Sequence, residues 1–229
     1  VRNLRLIVSL SDLFTAYIKH QILMEEFNKK QHWEEIYSKK LITEVSWYQK
    51  VPQTSLDFIE RSVLSKDASI IDVGGGDSFL VDHLLEKGFT DVSVLDISKK
   101  ALDRAKQRLD KKANAVQWIE SDVTTFESDK KFDFWHDRAA FHFLTEADDI
   151  EKYKRIVGKS IQSDGLLVIG TFSENGPKKC SGIPIKQYSI DQLSKTFDTD
   201  FELINTLEVD HTTPFDTIQN FTFCCLRRK

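Results

Sequence analysis

The chain has 229 residues, 40% of them hydrophobic, and a formal net charge of -4, which suits one α/β domain with a sizeable core and leaves little room for two. Acids and bases are mixed throughout, so no basic stripe marks a nucleic-acid surface, and no apolar run is long enough to span a bilayer. The three cysteines, Cys180, Cys224 and Cys225, are odd in number with two adjacent; that is neither a disulfide framework nor a metal-ligand spacing, so no metal is expected and a reducing, cytoplasmic setting is.

Residues 1–25 open with an apolar, slightly basic stretch over 1–23, followed by the only methionine, Met24. They read as an N-terminal extension or a first helix, ahead of an organellar targeting segment over 1–23; charged residues interrupt the apolar runs and no clear small-residue cleavage site follows, which argues against a secretory signal. Residues 26–229 read as a single domain, with lid helices over 26–64 and a core of sheet and helices over 68–227. In 27–39 Trp33, Ile36 and Tyr37 share a helical face, from which Phe27 falls away. Pro52 interrupts, and Thr54 or Ser55 is expected to cap a helix over about 55–64 with Leu56, Ile59 and Val63 inward. "ASIIDV" (68–73) is a short, branched, nearly continuous apolar run, the pattern of a buried strand.

A helix over about 78–87, a strand over 91–97 and a helix over 99–111 capped by Ser98 follow. Strands are expected at 115–123 and 131–137, and a helix at 146–162 carries acids in its first turn. A strand at 165–173, a helix at 189–197 capped by Ser189 and two alternating segments, 201–210 and 217–227, complete the order. That order predicts a doubly wound, mostly parallel seven-stranded α/β sheet with an antiparallel C-terminal strand pair.

The loop "DVGGGDS" (72–78) joins the first strand to its helix, where such sheets bind ligands. A phosphate-binding P-loop requires Lys and then Ser or Thr after the glycines; here Asp77 and Ser78 follow. A dinucleotide fingerprint requires a third glycine where Phe79 stands, and Asp72 and Asp77 would repel a pyrophosphate. A ligand that is cationic near the loop fits better, as in the ammonium and sulfonium of S-adenosylmethionine. Asp96, at the end of the second strand, is placed to accept both hydroxyls of a ribose, or else it caps a helix or lies on the surface. Asp122 is placed to accept from an adenine amine with Val123 packing the ring, or else it is a turn acid.

"IIDVGGGDS", "VLDIS", "ESDV", "KFDFWHDRAAFHFLT" and "GLLVIGTFSENGP", in that order, resemble the motifs of the class I, seven-stranded, Rossmann-like S-adenosylmethionine-dependent methyltransferases over about residues 30–227. The resemblance implies S-adenosyl-L-methionine as cofactor. It places Gly74, Gly75 and Gly76 along the donor, Asp96 and Ile97 at its ribose, Asp122 and Val123 at its adenine, Asp72 near its methionine end and Trp33 in a lid above it. "HDRAAFHFLTEADDIEKY" and "SGIPIKQYS" resemble the thiopurine methyltransferase-like branch, and the whole chain is similar to small methyltransferase-domain proteins of undefined substrate. "HWEEIY" and "EVSWYQ" resemble, faintly, protein-lysine methyltransferases.

The implied activity is methyl transfer to a small thiol or other heteroatom acceptor. A protein lysine is the alternative, and a nicotinamide oxidoreductase or a non-catalytic nucleoside-binding module lies further off. Neither nucleic acid nor membrane is expected as a partner. His136 and Asp137, at the mouth of the fourth strand, are candidates to position the acceptor or move its proton. Arg138 either binds an anionic group of the acceptor or pairs with Asp137 or Asp133. His142, Tyr48 and His211 are further candidates for the acceptor side, with core packing the alternative for His142.

Overall fold

A computed structural model describes residues 27–229; the reading of residues 1–25 lies outside them. A seven-stranded sheet has the order β3-β2-β1-β4-β5-β9-β8. Its strands are β1 (Ser69–Val73), β2 (Asp91–Asp96), β3 (Val116–Glu120), β4 (Phe132–Arg138), β5 (Ile161–Phe172), β8 (Phe201–Thr212) and β9 (Ile218–Arg228). β1 to β5 run parallel, and β9 is antiparallel to both β5 and β8. β6 (Lys179–Cys180) and β7 (Ile183–Pro184) form a separate small hairpin.

The helices are α1 (Lys29–Lys39), α2 (Gln53–Arg61), α3 (Leu80–Glu86), α4 (Lys99–Leu109), α5 (Ala147–Ser160) and α6 (Ile190–Phe197). Side chains alternate across each strand, so the sheet feeds two cores. Ile70, Val94 and Phe134 pack with Leu56, Leu80 and Leu102 of α2, α3 and α4 on one face. Ile71, Trp135 and Leu167 pack with Tyr153, Val157 and Phe197 of α5 and α6 on the other. No helix among the described residues is long and apolar enough to cross a membrane.

Most local signals hold. Ser98 Oγ accepts from the Ala101 N–H, and Ser189 with Gln192 forms a capping box at α6. The second lid helix departs from expectation. It begins at Gln53, directly after Pro52, and neither Thr54 nor Ser55 caps it. Ser55 is 1% exposed because a polar partner inside the domain draws it inward, and Val63 lies beyond the helix, exposed, with φ +49°. β5 starts at Ile161, earlier than the apolar run suggests, because Ile161 pairs with Phe132 before the register shifts to Leu166.

Candidate active site

Strand order reverses between β1 and β4, and a crevice opens beyond the carboxyl ends of β1 to β4 at this switch point. The parallel register puts Asp72 of β1 beside His136 of β4. Their side chains meet there, His136 Nδ1 lying 2.7 Å from Asp72 Oδ1. On the other side of the ring, His136 Nε2 is 2.8 Å from Ser55 Oγ of α2. A carboxylate only accepts, so Nδ1 carries the proton it donates, and neither ring nitrogen is left free. Asp72, His136 and Ser55 all line the crevice.

The glycine loop follows. The Gly74 N–H donates to Leu95 O at 2.8 Å, tying the loop to β2. A Cβ on Gly75 would stand 2.5 Å from Asp72 Oδ2, and one on Gly76, where φ is +34°, would stand 2.5 Å from Asp96 Oδ2. The missing side chains thus make room for two carboxylates pressed against the backbone. Asp96 is 6% exposed, accepts the Ser98 N–H at 2.7 Å and has no cation within ion-pair distance among the described residues. Burial, with Asp72 and Glu34 adding to it, pushes its carboxyl up to about 7. Asp122 serves as a turn acid, its Oδ1 accepting the Thr124 N–H at 2.8 Å, and it also lines the crevice with Ile97 and Val123.

Residues 70–165 match the model of a family described as a methyltransferase domain. No curated protein matches the chain in sequence. Among solved structures, the chain is similar to a protein from the conversion of a disulfide bond into a thioacetal group during echinomycin biosynthesis. The TM-score is 0.71 at 17% identity, covering 87% of this chain and 93% of that one. It is similar to the N-methyltransferase NodS of Bradyrhizobium japonicum WM9 bound to S-adenosyl-L-homocysteine, with TM-score 0.65, 14% identity and coverage of 85% and 97%. For the 1,6-didemethyltoxoflavin-N1-methyltransferase of Burkholderia thailandensis the values are 0.63, 13%, 99% and 93%. The fold is that of the class I S-adenosylmethionine-dependent methyltransferases.

In this methyltransferase fold, β4 sorts its last three residues by face. His136 and Arg138 face the crevice, whereas Asp137 points into the opposite core and is fully buried. Asp137 Oδ1 accepts from the N–H groups of Ala140 and Phe141 at 2.9 and 3.1 Å, and Oδ2 accepts from Tyr153 Oη at 2.7 Å. Burial outweighs these three donors and raises its carboxyl to about 6. Its geometry is that of a clamp on the turn after β4, not of a group that reaches an acceptor. Asp137→Ala leaves three buried donors unsatisfied, at about 1–3 kcal/mol each. The variant is expected to lose many degrees in a thermal melt, while its folded fraction binds S-adenosylhomocysteine as wild type does in calorimetry.

Arg138 pairs with neither Asp137 nor Asp133, because alternation sends Asp137 away and Asp133 is taken by the Ser69 N–H at 2.7 Å. His142 is wholly buried and lies outside the crevice; its Nδ1 accepts the Phe172 N–H at 3.3 Å, and burial, then Arg138, pushes it down to about 3. His211 also lies outside the crevice. Its Nε2 donates to Ser46 O at 2.7 Å, and its Nδ1 accepts from Gln49 Nε2 at 3.3 Å. It fastens to β8 the segment that carries Trp47, Tyr48 and Gln49 over the crevice, and is thereby a positioning residue.

The roof combines that segment, α1 and the β6–β7 hairpin. Trp33 of α1 meets Trp47 and Phe143 edge-on at 5.7 and 5.2 Å between centroids, and Cys180 of the hairpin lines the same cavity. The roles of Ser55 and Arg108 escape sequence reading, since only long-range partners give them those roles. Arg108 of α4 spans the loop beneath the site, binding Asp77 Oδ1 at 2.5 Å, Asp82 Oδ2 at 2.8 Å and the carbonyls of Asp77 and Ser78. Asp77, read from sequence as an obstacle to pyrophosphate, is thus neutralised by Arg108 and by Arg104 at 3.5 Å.

Proposed function

We propose that this methyltransferase moves the methyl group of S-adenosylmethionine to a nitrogen or sulfur nucleophile on a small molecule. The observation that carries the donor side is Asp96, a buried carboxylate with no cationic partner among the described residues, facing a cleft beside the glycine loop. Two ribose hydroxyls would supply its missing donors. Asp72, held by His136, faces the donor's ammonium, and Ile97, Asp122 and Val123 frame the adenine, beside Trp33 in the roof. When bound, the donor supplies a methyl on a positively charged sulfur that is open to in-line displacement. The residues of this chain align the acceptor and exclude water.

A small acceptor is favoured by the roof, in which aromatic rings from α1 and the 42–49 segment, together with Cys180 of the hairpin, close over the cavity. His136 offers no free ring nitrogen. The acceptor therefore arrives as a thiolate or a neutral amine, and its alignment rather than a general base carries the rate.

A melting scan with S-adenosylmethionine, S-adenosylhomocysteine and NAD tests the donor, and only the sulfur compounds are expected to raise the midpoint. Incubation with methyl-labelled donor, a thiol and amine panel and size-resolved cell extract then tests the acceptor. Label in the small-molecule fraction supports the proposal, and label held in a single protein band overturns it in favour of a protein lysine.

A further inference from the structure

We propose that the acceptor of this enzyme carries a single negative charge, a carboxylate or an equally acidic ring atom, and that Arg138 receives it. This deepens the reading just given and rests on it. A guanidinium has five N–H donors, and at Arg138 one bond is formed among the described residues, Nη1 to Trp47 O at 3.2 Å. No carboxylate within the described residues lies within ion-pair distance of Arg138, and its Nη2 is sealed from solvent without an acceptor. The group lies 4.8 Å from the Phe221 ring centroid. Desolvation lowers it to about 10, which still leaves it charged at neutral pH. Arg138 as a whole is half-buried; charges withdrawn from water are normally paired, and the same chain shows the usual pattern at Arg108, also half-buried, which holds two carboxylates and two carbonyls. Asp72, itself held by His136, acts on Arg138 only at longer range, so the guanidinium has no direct counter-charge of the kind a ligand brings.

Position decides which ligand. The donor side lies over β1, β2 and β3, where Asp72, Asp96 and Asp122 stand. Arg138 ends β4 and faces Phe221 of β9 and Cys180 of the β6–β7 hairpin, on the other side of the switch point. Charge decides the valence. The one other cationic side chain lining this cavity among the described residues is Lys29, which is held by Asp149 at 3.0 Å. One guanidinium among several carboxylates suits a monoanion and disfavours a phosphate dianion, and its planar fork matches a carboxylate. The rings of Trp33, Trp47 and Phe143 then provide an apolar seat for a flat body.

The test saturates the protein with S-adenosylhomocysteine and compares benzoate with its neutral isostere benzamide in ligand-observed NMR titrations. Wild type is expected to bind benzoate roughly tenfold more tightly. Arg138→Met is expected to erase that preference, and Arg138→Lys, which keeps the charge without the fork, to retain part of it. Equal binding of the two probes, no binding of benzoate, or a preference that survives in Arg138→Met overturns the proposal. If Arg138→Met does not fold, Arg138→Lys decides alone, and an undiminished preference overturns it. A parallel titration compares S-adenosylhomocysteine with 5′-methylthioadenosine, which lacks the amino-acid carboxylate. A loss in Arg138→Met confined to S-adenosylhomocysteine assigns the arginine to the donor and likewise overturns the proposal. Failure of wild type to bind S-adenosylhomocysteine sinks the donor reading itself, whereas donor binding without a benzoate preference sinks only this inference.

Discussion

Asp96→Asn is expected to stabilise the folded protein at about pH 8 while weakening its grip on S-adenosylhomocysteine. Asp96 has an ordinary value of 3.8 and is pushed to about 7 by burial in the native cleft. Between those values the folded protein holds a proton that the unfolded chain has released. Stability therefore falls as pH rises through this window, and the full cost is present above about 7. At about 1.36 kcal/mol per pH unit, the window amounts to roughly 4 kcal/mol, an order-of-magnitude figure. Asparagine has no charge to desolvate and lifts that cost.

The donor reverses the balance. Ribose hydroxyls that donate to Asp96 favour its ionised form, so binding near neutral pH is accompanied by proton release. Wild-type affinity should fall up to tenfold per unit as pH drops below about 7 and level off above it. Asp96→Asn removes a charged acceptor worth about 1–3 kcal/mol and flattens the profile. Calorimetric titrations at several pH values in two buffers of different ionisation enthalpy read both effects, and thermal melts read the stability. A wild-type affinity that does not change between about pH 6 and 8 would show that the carboxylate does not hold the ligand.

The parts of this molecule legible in its sequence are those set by neighbours along the chain. The Ser98 and Ser189 caps act within three residues of themselves, to Ala101 and Gln192. The nearly continuous apolar run of β1 announces a strand covered on both faces, and 69–73 is buried throughout. Roles set by distant partners are not legible. Ser55 looks like a helix cap until His136, 81 residues away, takes its hydroxyl. His211 looks like an acceptor-side residue until Ser46 O, 165 residues away, occupies its Nε2.

Asp137 and Arg138 are adjacent in sequence, and charge alone suggests that they pair. The pleat of β4 sends them to opposite faces, where Asp137 becomes a turn clamp and Arg138 enters the cleft. The glycine loop was legible as a place of close approach, but not what approaches it. Two of its three missing side chains are required by the chain's own Asp72 and Asp96.

Arg108→Met is expected to destabilise the fold and loosen the glycine loop from outside the cleft. α3 spans seven residues and has no side-chain cap at Phe79, so the turn between β1 and α3 depends on support from elsewhere. Arg108 supplies it from α4, with bonds to the carbonyls of Asp77 and Ser78, to both oxygens of Asp82 and to Asp77 Oδ1, and it stacks 4.2 Å from the Phe79 ring centroid. Asp77 is 7% exposed, and burial already raises its carboxyl although Arg108 and Arg104 pull it down. Removing Arg108 leaves that carboxylate with Arg104 alone, 3.5 Å away and more exposed.

Breaking one partner of a buried ion pair costs about 3–5 kcal/mol, which for a chain of this length is a fall of roughly 10 °C in Tm. The loop that bears Gly74 to Gly76 loosens with it, so donor affinity falls even when corrected for the unfolded fraction. Arg104→Met, which removes the longer contact to Asp77 and an exposed bond to the Lys40 carbonyl at 2.6 Å but none of the bonds to the loop carbonyls, is the control and should cost about 1 kcal/mol. Melts and S-adenosylhomocysteine titrations of the two variants side by side separate the effects. Equal and small losses in both would mean that the glycine loop holds its shape through its backbone bonds to Leu95 alone, and that Arg108 is a surface arginine with well-placed neighbours.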